Sequence, residues 1–543
     1  MKKGLSVFCL VIVGMFLIVG IGFAQEEVHD ITEEILVGPG SISIATNKDI
    51  LMSFGGLVRI IPTSEDNWDF GISDNVPSFL GGMLKDSFFN GHMNESGSIA
   101  NSYIRTESKL YFNAMPKDRK WTFYAALEFD RPIENSTVDN RGGKSDDSSN
   151  FGLERLHGTM ALPNNLRFHA GWDIWEMDVY NGASLFYADD NPGFWLTGGS
   201  GALKFNVGYF KLMENDFQTS IGGLEKDENN DRSLYAGFLD YQINDCNKVR
   251  FMYGYDRIRK IPVNDFLGSV TGGQLGITGS DSPKVDSHHA GAYYIGDFGP
   301  LELMLEAVYQ FGDADDTGLA QDDFDISAYA LSLDLTYELK ESVGFSLKPH
   351  LGVLYTSGDD DPDDDTLGGY QAIENPQRFS PRWGGENTII GDTNLVLGTL
   401  LYGYLPELYG NGTPVFTGGL QNTAGMGGGR GDNPGLTMVS LGLKATPKRF
   451  LIYRTNINAF VWNEDFVVTS FADGQTNTKV DSGYVGTEWD NEITLALSKS
   501  TFIKGQFSFF FPGDGVEDTT AALSGTKSDD IASRVAAEFI WNF

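Results

Sequence analysis

The last fourteen residues alternate without a slip. Ile531, Ser533, Val535, Ala537, Phe539, Trp541 and Phe543 fall on one side of an extended chain, and Ala532, Arg534, Ala536, Glu538, Ile540 and Asn542 on the other. A period of two is the side-chain spacing of a β-strand. One side carries large apolar and aromatic groups; the other carries an arginine and a glutamate. A strand divided in this way lies between two unlike media. A chain built of such strands folds as a sheet with one oily face and one polar face.

The same division recurs along the chain. In 301–312, Leu301, Leu303, Leu305, Ala307, Tyr309 and Phe311 oppose Glu302, Met304, Glu306, Val308 and Gln310. In 325–339, Tyr329, Leu331, Leu333, Leu335, Tyr337 and Leu339 oppose Ala328, Ala330, Ser332, Asp334, Thr336 and Glu338. Eighteen strands are expected, within a range of sixteen to twenty: 50–61, 99–114, 121–131, 151–162, 166–175, 193–198, 202–213, 233–243, 248–259, 287–298, 301–312, 325–339, 344–357, 435–446, 450–463, 482–498, 501–512 and 530–543. Short Pro-, Gly-, Asn- or Lys-rich turns such as Pro163–Leu166 and Gly299–Pro300 alternate with long links, the longest being 358–434.

A soluble sandwich would turn its apolar faces inward. Here so many strands carry charge on one face that a solvated lumen costs less. The fold class read from the sequence is therefore all-β: a transmembrane, antiparallel, up-and-down β-barrel with short periplasmic turns and long extracellular loops. Tyr329 and Tyr337, at the two ends of one apolar face, suit interfacial girdles.

Lys2 and Lys3, an uncharged run from Gly4 to Ala24, and small residues at Gly22 and Ala24 read as a secretory signal peptide over residues 1–24. Residues 25–49 read as a periplasmic tail and 50–543 as one barrel domain. Past the leader no run reaches the roughly 18 apolar residues of a membrane helix. A closed barrel spans without one. Cys246 is the one cysteine left after the leader, so backbone pairing and not a disulfide must close the fold. The net charge of −35 argues against nucleic acid as a partner.

The terminal run Phe539-Ile540-Trp541-Asn542-Phe543 resembles the C-terminal signature of Gram-negative outer-membrane barrel proteins, whose closing strand ends on an aromatic residue. That resemblance implies export to the outer membrane and contact with its lipid. Together with Leu354-Tyr355-Thr356-Ser357-Gly358-Asp359-Asp360-Asp361-Pro362 after a strand, the run also resembles the alginate-export family of eighteen-stranded channels. The strongly basic lumen of that family is not plainly reproduced, and alginate is not carried over as substrate.

If the apolar faces meet lipid, the opposite faces line a pore. Its basic members would include Arg105, Lys109, Arg167, Lys204, Arg250, Lys348, Arg454, Lys504 and Arg534. Its acidic members would include Glu128, Asp240, Glu302, Glu306, Asp334, Glu338, Glu492 and Glu538. Such residues either set a field across a water-filled channel or pair across strands and brace the wall. The sequence suggests a basic arc facing an acidic one at strands 301–339. Leu397, Leu400, Leu401 and Leu405, in an apolar stretch of the longest loop, are expected to fold into or over the lumen as a constriction or lid, or to pack among outer loops or against a neighbouring subunit. Asp359, Asp361, Asp363 and Asp365 offer oxygen ligands for calcium, although acidic runs are also commonly just solvated. No other cofactor is expected.

No nucleophile elbow, His-Glu-x-x-His or Cys-x-x-Cys-His occurs in the setting its chemistry needs, so an enzyme is not expected. The reading is a porin, a passive channel for small hydrophilic solutes or ions. A scaffold barrel around a cytochrome or lipoprotein, or a surface adhesion barrel, stands as the alternative. A homotrimer remains open.

Overall fold

The computed structural model describes residues 42–45, 49–67, 70, 92–93, 99–132, 152–178, 185–189, 191–213, 232–259, 284–315, 323–361, 364–370, 372–373, 434–469 and 477–543. Eighteen long strands run in sequence order: β1 (Ile50–Asp66), β2 (Ile99–Pro116), β3 (Trp121–Pro132), β4 (Gly152–Leu162), β5 (Leu166–Trp172), β6 (Pro192–Ser200), β7 (Leu203–Met213), β8 (Arg232–Asn244), β9 (Asn247–Ile258), β10 (Lys284–Phe298), β11 (Leu301–Asp315), β12 (Phe324–Tyr337), β13 (Ser346–Thr356), β14 (Leu436–Lys448), β15 (Leu451–Trp462), β16 (Tyr484–Ser498), β17 (Thr501–Pro512) and β18 (Ala532–Asn542). Each pairs antiparallel with the next. β18 returns to β1, with Val58 opposite Trp541 and Glu65 opposite Arg534. The sheet is a closed barrel and leaves no long edge unpaired.

The C-terminal strand performs the closure that its alternation suggests. The Phe543 N–H donates to the Gly56 carbonyl at 3.0 Å, and the Gly56 N–H donates to the Phe543 carbonyl at 2.8 Å. The tip of the Phe543 ring lies at Gly56, where any side chain would collide with it. Beyond Phe543 the free side of β1 is taken by Ile42–Ala45, which pairs with Leu51–Phe54. Part of the expected tail thus extends the wall. β6, the least regular strand in the sequence, pairs with both β5 and β7.

Facing follows the period of two. Outward side chains include the exposed Phe194, Phe251, Leu305, Leu331, Leu441, Ile457 and Trp541. Tyr209, Tyr235, Tyr255, His288 and Phe311 stand in direct register on five successive strands toward the long-loop end. Their ring centroids follow at 5.1, 5.8, 4.7 and 5.3 Å, the first pair tilted and the others stacked, as an interfacial girdle would. An apolar outer belt on a closed single-chain barrel is the architecture of an outer-membrane protein. The chain is a transmembrane β-barrel.

The link after β17 holds a helix, α1 (Asp514–Ser524), which the alternation pattern did not announce. Gly513 opens it in an extended conformation. Gly525 closes it at φ 81°, its N–H donating to the Ala521 carbonyl. Val516 and Ala522 are buried, and α1 packs on β16 and on the hairpin Phe466–Thr469 with Asn477–Val480.

Candidate functional site

The lumen is the candidate site, and its two sides differ. On one side the inward charges meet as pairs. The Arg59 guanidinium donates to Glu107 at 2.6 Å and to Glu538 at 2.8 Å, tying β1, β2 and β18 together at the closing seam. Lys504 stands 3.7 Å from Glu538 and 4.0 Å from Glu492, and Arg454 lies 3.9 Å from Glu492. Arg534 reaches Glu65 at 3.7 Å, and Lys109 reaches Glu128 at 2.8 Å and Glu154 at 3.4 Å.

At the closing seam cations and carboxylates interleave on neighbouring strands, because a charge turned from water is stabilised by an opposite charge across the sheet. Arg59, Glu65 and Glu154 were not among the residues expected to matter. The signal for Arg59 was masked by its position among the apolar residues Leu57, Val58, Ile60 and Ile61.

An amide ladder continues this side. The Ser440 hydroxyl donates to Asn456 at 2.8 Å, Asn456 donates to Asn458 at 2.7 Å, and Asn458 donates to Asp490 at 3.2 Å. Lys348, Lys444 and Arg454 follow one another in register, and Glu492 ends the row. Asp334 is buried and accepts from the Thr336 hydroxyl at 3.4 Å. Glu302 and Arg105 sit half-buried, opposite Thr336 and Ile61 respectively.

Three of the expected residues serve the short-turn rim. Arg167 donates to the Thr159 hydroxyl at 2.7 Å and to the Arg119 carbonyl at 3.0 Å. Glu338 accepts from the backbone of Lys340 and Leu347 and from the Ser346 hydroxyl. Lys204 is exposed beside Asp240 in register.

The other side is dry. After β5 the described residues 173–178 and 185–189 leave the wall and lie inside the barrel. Trp175, Met177, Leu185, Phe186 and Tyr187 are buried against the inward Trp195, Phe210, Leu234, Met252, Tyr293 and Val308. Phe186 lies so close to the backbone at Gly254 that a Cβ there would meet its ring at 2.8 Å. The Asp178 carboxylate orders the turn, accepting from the N–H groups of Leu185, Phe186 and Tyr187 at 2.5, 2.7 and 3.1 Å. Glu306 is also buried.

A second segment, 364–373, lies on the first. The Tyr370 hydroxyl donates to the Leu185 carbonyl, and the Ile373 N–H donates to the Phe186 carbonyl at 3.1 Å. At the base of the insert His157 meets Asp173 at 2.9 Å and His169 at 3.2 Å, with Trp195 stacked on both imidazoles.

Of the longest loop, Tyr370, Ala372 and Ile373 are buried against this insert. Leu397, Leu400, Leu401 and Leu405 lie outside the described residues. From sequence 173–175 was read as the end of the strand 166–175, which in the structure stops at Trp172, and 176–192 only as a long link. The run of Trp172, Ile174, Trp175, Met177, Leu185, Phe186 and Tyr187, too apolar for a solvated loop, was the available signal. Of the expected calcium ligands, Asp359 is buried and accepts from the N–H groups of Asp361 and Gly368, both at 3.3 Å. Asp361 and Asp365 are exposed, and Asp363 lies outside the described residues. Among the described residues no three acidic, His or Cys side chains are placed to hold a metal ion. His288 and His289 point to opposite faces, outward to Tyr255 and inward to Phe186.

No protein-family model and no curated protein sequence matches the chain. Among solved structures it is similar to a BenF-like porin from Pseudomonas fluorescens Pf-5, at 10% identity and a TM-score of 0.46, covering 91% of this chain and 99% of that one. It is similar to OccK9 (OpdG) of Pseudomonas aeruginosa at 8% identity and a TM-score of 0.46, covering 91% and 98%. It is also similar to OccAB2 of Acinetobacter baumannii at 10% identity and a TM-score of 0.44, covering 91% and 98%. The assignment of the fold rests on the chain's own strand pairing.

Proposed function

We propose that the barrel is a passive outer-membrane channel for small hydrophilic solutes or ions. One observation carries the reading: ionisable side chains of strand after strand stand on the inner face while the outer face is an apolar belt. A wall of that kind is stable only with water or polar groups within and acyl chains without. A sheathed cytochrome or lipoprotein finds less support, because Trp175, Met177, Phe186, Tyr187, Tyr370 and Ile373 of the chain itself occupy lumen that such a partner would need.

Reconstitution of the pure protein in a planar bilayer tests the proposal. Discrete conductance steps are expected, and a correctly folded barrel that never raises the conductance would sink it. Glu302 is half-buried on the inner face, so Glu302→Gln is expected to move the reversal potential in a salt gradient toward anion preference. An unchanged potential removes Glu302 from the path.

A further inference from the structure

Two arginines connect the lumen wall to the inserted segments in the same manner. Arg250 on β9 forks onto Asp240 of β8 at 2.5 and 2.7 Å and spends a further N–H on the Met177 carbonyl at 2.6 Å. Its guanidinium lies 3.6 Å from the centre of the Phe238 ring, which fixes its plane. Arg232 on β8 forks onto Asp256 of β9 at distances of 2.6 to 3.2 Å and donates to the Ile373 carbonyl at 2.9 Å. The two pairs cross between the same two strands in opposite directions. One holds the segment after β5 and the other holds the segment after β13.

A buried ion pair adds little net stability, but a carboxylate fixes the plane and charge of the fork so that its remaining N–H groups are aimed. Backbone carbonyls are the targets here, so the grip is made to the main chain and not to the buried side chains of Met177 and Ile373. The segments are also bound to each other through Leu185, Phe186, Tyr370 and Ile373. Held at two points and joined between them, they form one body.

We infer that Arg232 and Arg250 are positioning residues that set the bore of the channel by pinning this body to the wall, without themselves having to touch the solute. The inference rests on the channel reading for its electrical consequence, though not for the pinning itself. On this view the insert is a fixed constriction.

The experiment uses the full-length barrel. Arg250→Met with Asp240→Asn, and Arg232→Met with Asp256→Asn, remove each grip without leaving a lone buried charge. Combined, they are expected to raise single-channel conductance at least about twofold. Amide exchange at Leu185, Phe186 and Ile373 should rise as well, while strand amides keep their protection. Native conductance and native exchange in the folded variant would overturn the inference.

If those variants fail to assemble, Arg250→Lys and Arg232→Lys serve instead. They keep the charge but lack the fork, and faster exchange at the same amides is expected. Unchanged exchange in them overturns the pinning. A wild-type barrel that conducts nothing would defeat the channel reading alone, because the exchange measurement decides the pinning without any current.

Discussion

The two sides of the lumen obey the same alternation and solve opposite problems. From β14 round to β2 the inward positions hold Ser440, Asn456, Asn458, Asp490, Glu492, Lys504, Arg534, Glu538, Arg59 and Glu107, each within reach of a polar neighbour on the next strand. From β6 to β13 they hold Trp195, Phe210, Ala236, Met252, Gly254, Ala328 and Ala330, and the protein's own chain lies on them. Period two fixes which face a residue takes. What that face meets depends on what fills the barrel. Small and apolar side chains predominate where the insert docks, beside the Arg250–Asp240 and Arg232–Asp256 pairs, and pairable polar ones predominate at the closing seam, beside the buried Phe460 and Phe510.

The largest test of this contrast is at the closing seam. Arg59 is 5% exposed and serves two carboxylates, so Arg59→Ala takes from each its nearest cation and leaves Glu107 to Lys109 at 3.4 Å and Glu538 to Lys504 at 3.7 Å. A loss of about 3–5 kcal/mol is expected, seen as a lower temperature for the heat-induced mobility shift of the barrel on gels. Adding Glu107→Gln and Glu538→Gln should recover most of it. A barrel indifferent to Arg59→Ala would break the view that pairing stabilises this wall.

On the dry side a truncation of similar size should read out differently. Phe186 is fully buried, and Phe186→Ala removes about 3 kcal/mol of packing. That loss falls on docking of the insert and not on strand pairing, so exchange at Leu185 and Tyr187 should quicken while the barrel transition stays put. A fall in the barrel transition itself would mean that the insert is part of the closed wall. The amide ladder comes next in size. Asn458→Ala strips Asn456 of an acceptor and Asp490 of a donor, for about 1–3 kcal/mol, again in barrel stability.

Much of this was legible in the sequence and some was not, for identifiable reasons. All eighteen strands could be placed because each carries its own period of two, and the closure could be placed because Phe539, Trp541 and Phe543 keep phase to the last residue. Inward facing of Glu306, Asp240 and Arg250 followed from the same phase. Their partners did not, since pairing depends on register between strands far apart in sequence, such as β1 with β18. The insert was invisible for a related reason. Nothing local says that Trp175 and Phe186 meet Phe210 and Gly254 rather than lipid. Helix α1 was missed because only the glycines at 513 and 525 and the acids Asp514 and Glu517 announce it.

The smallest effect is expected outside the membrane, at the half-exposed charges of α1. The Asp518 carboxyl is held below the usual carboxylate range by the Lys527 ammonium, 2.7 Å away, and by the Ser482 hydroxyl. A lowered native value means that the contribution is complete above the ordinary aspartate range, near about pH 4, and is lost as pH falls through the lower native value. Protection of the α1 amides should therefore hold from neutral pH down to about 4 and then drop, by about fivefold or less, because partly exposed pairs contribute little. Asp518→Asn should flatten that acid limb, and added salt should shrink it in the native chain, while the barrel strands show neither response. If the strands followed α1 through the acid transition, the loop layer and the barrel would be one cooperative unit. The distinction between a wall that needs its ion pairs and a surface that merely carries them would then fail.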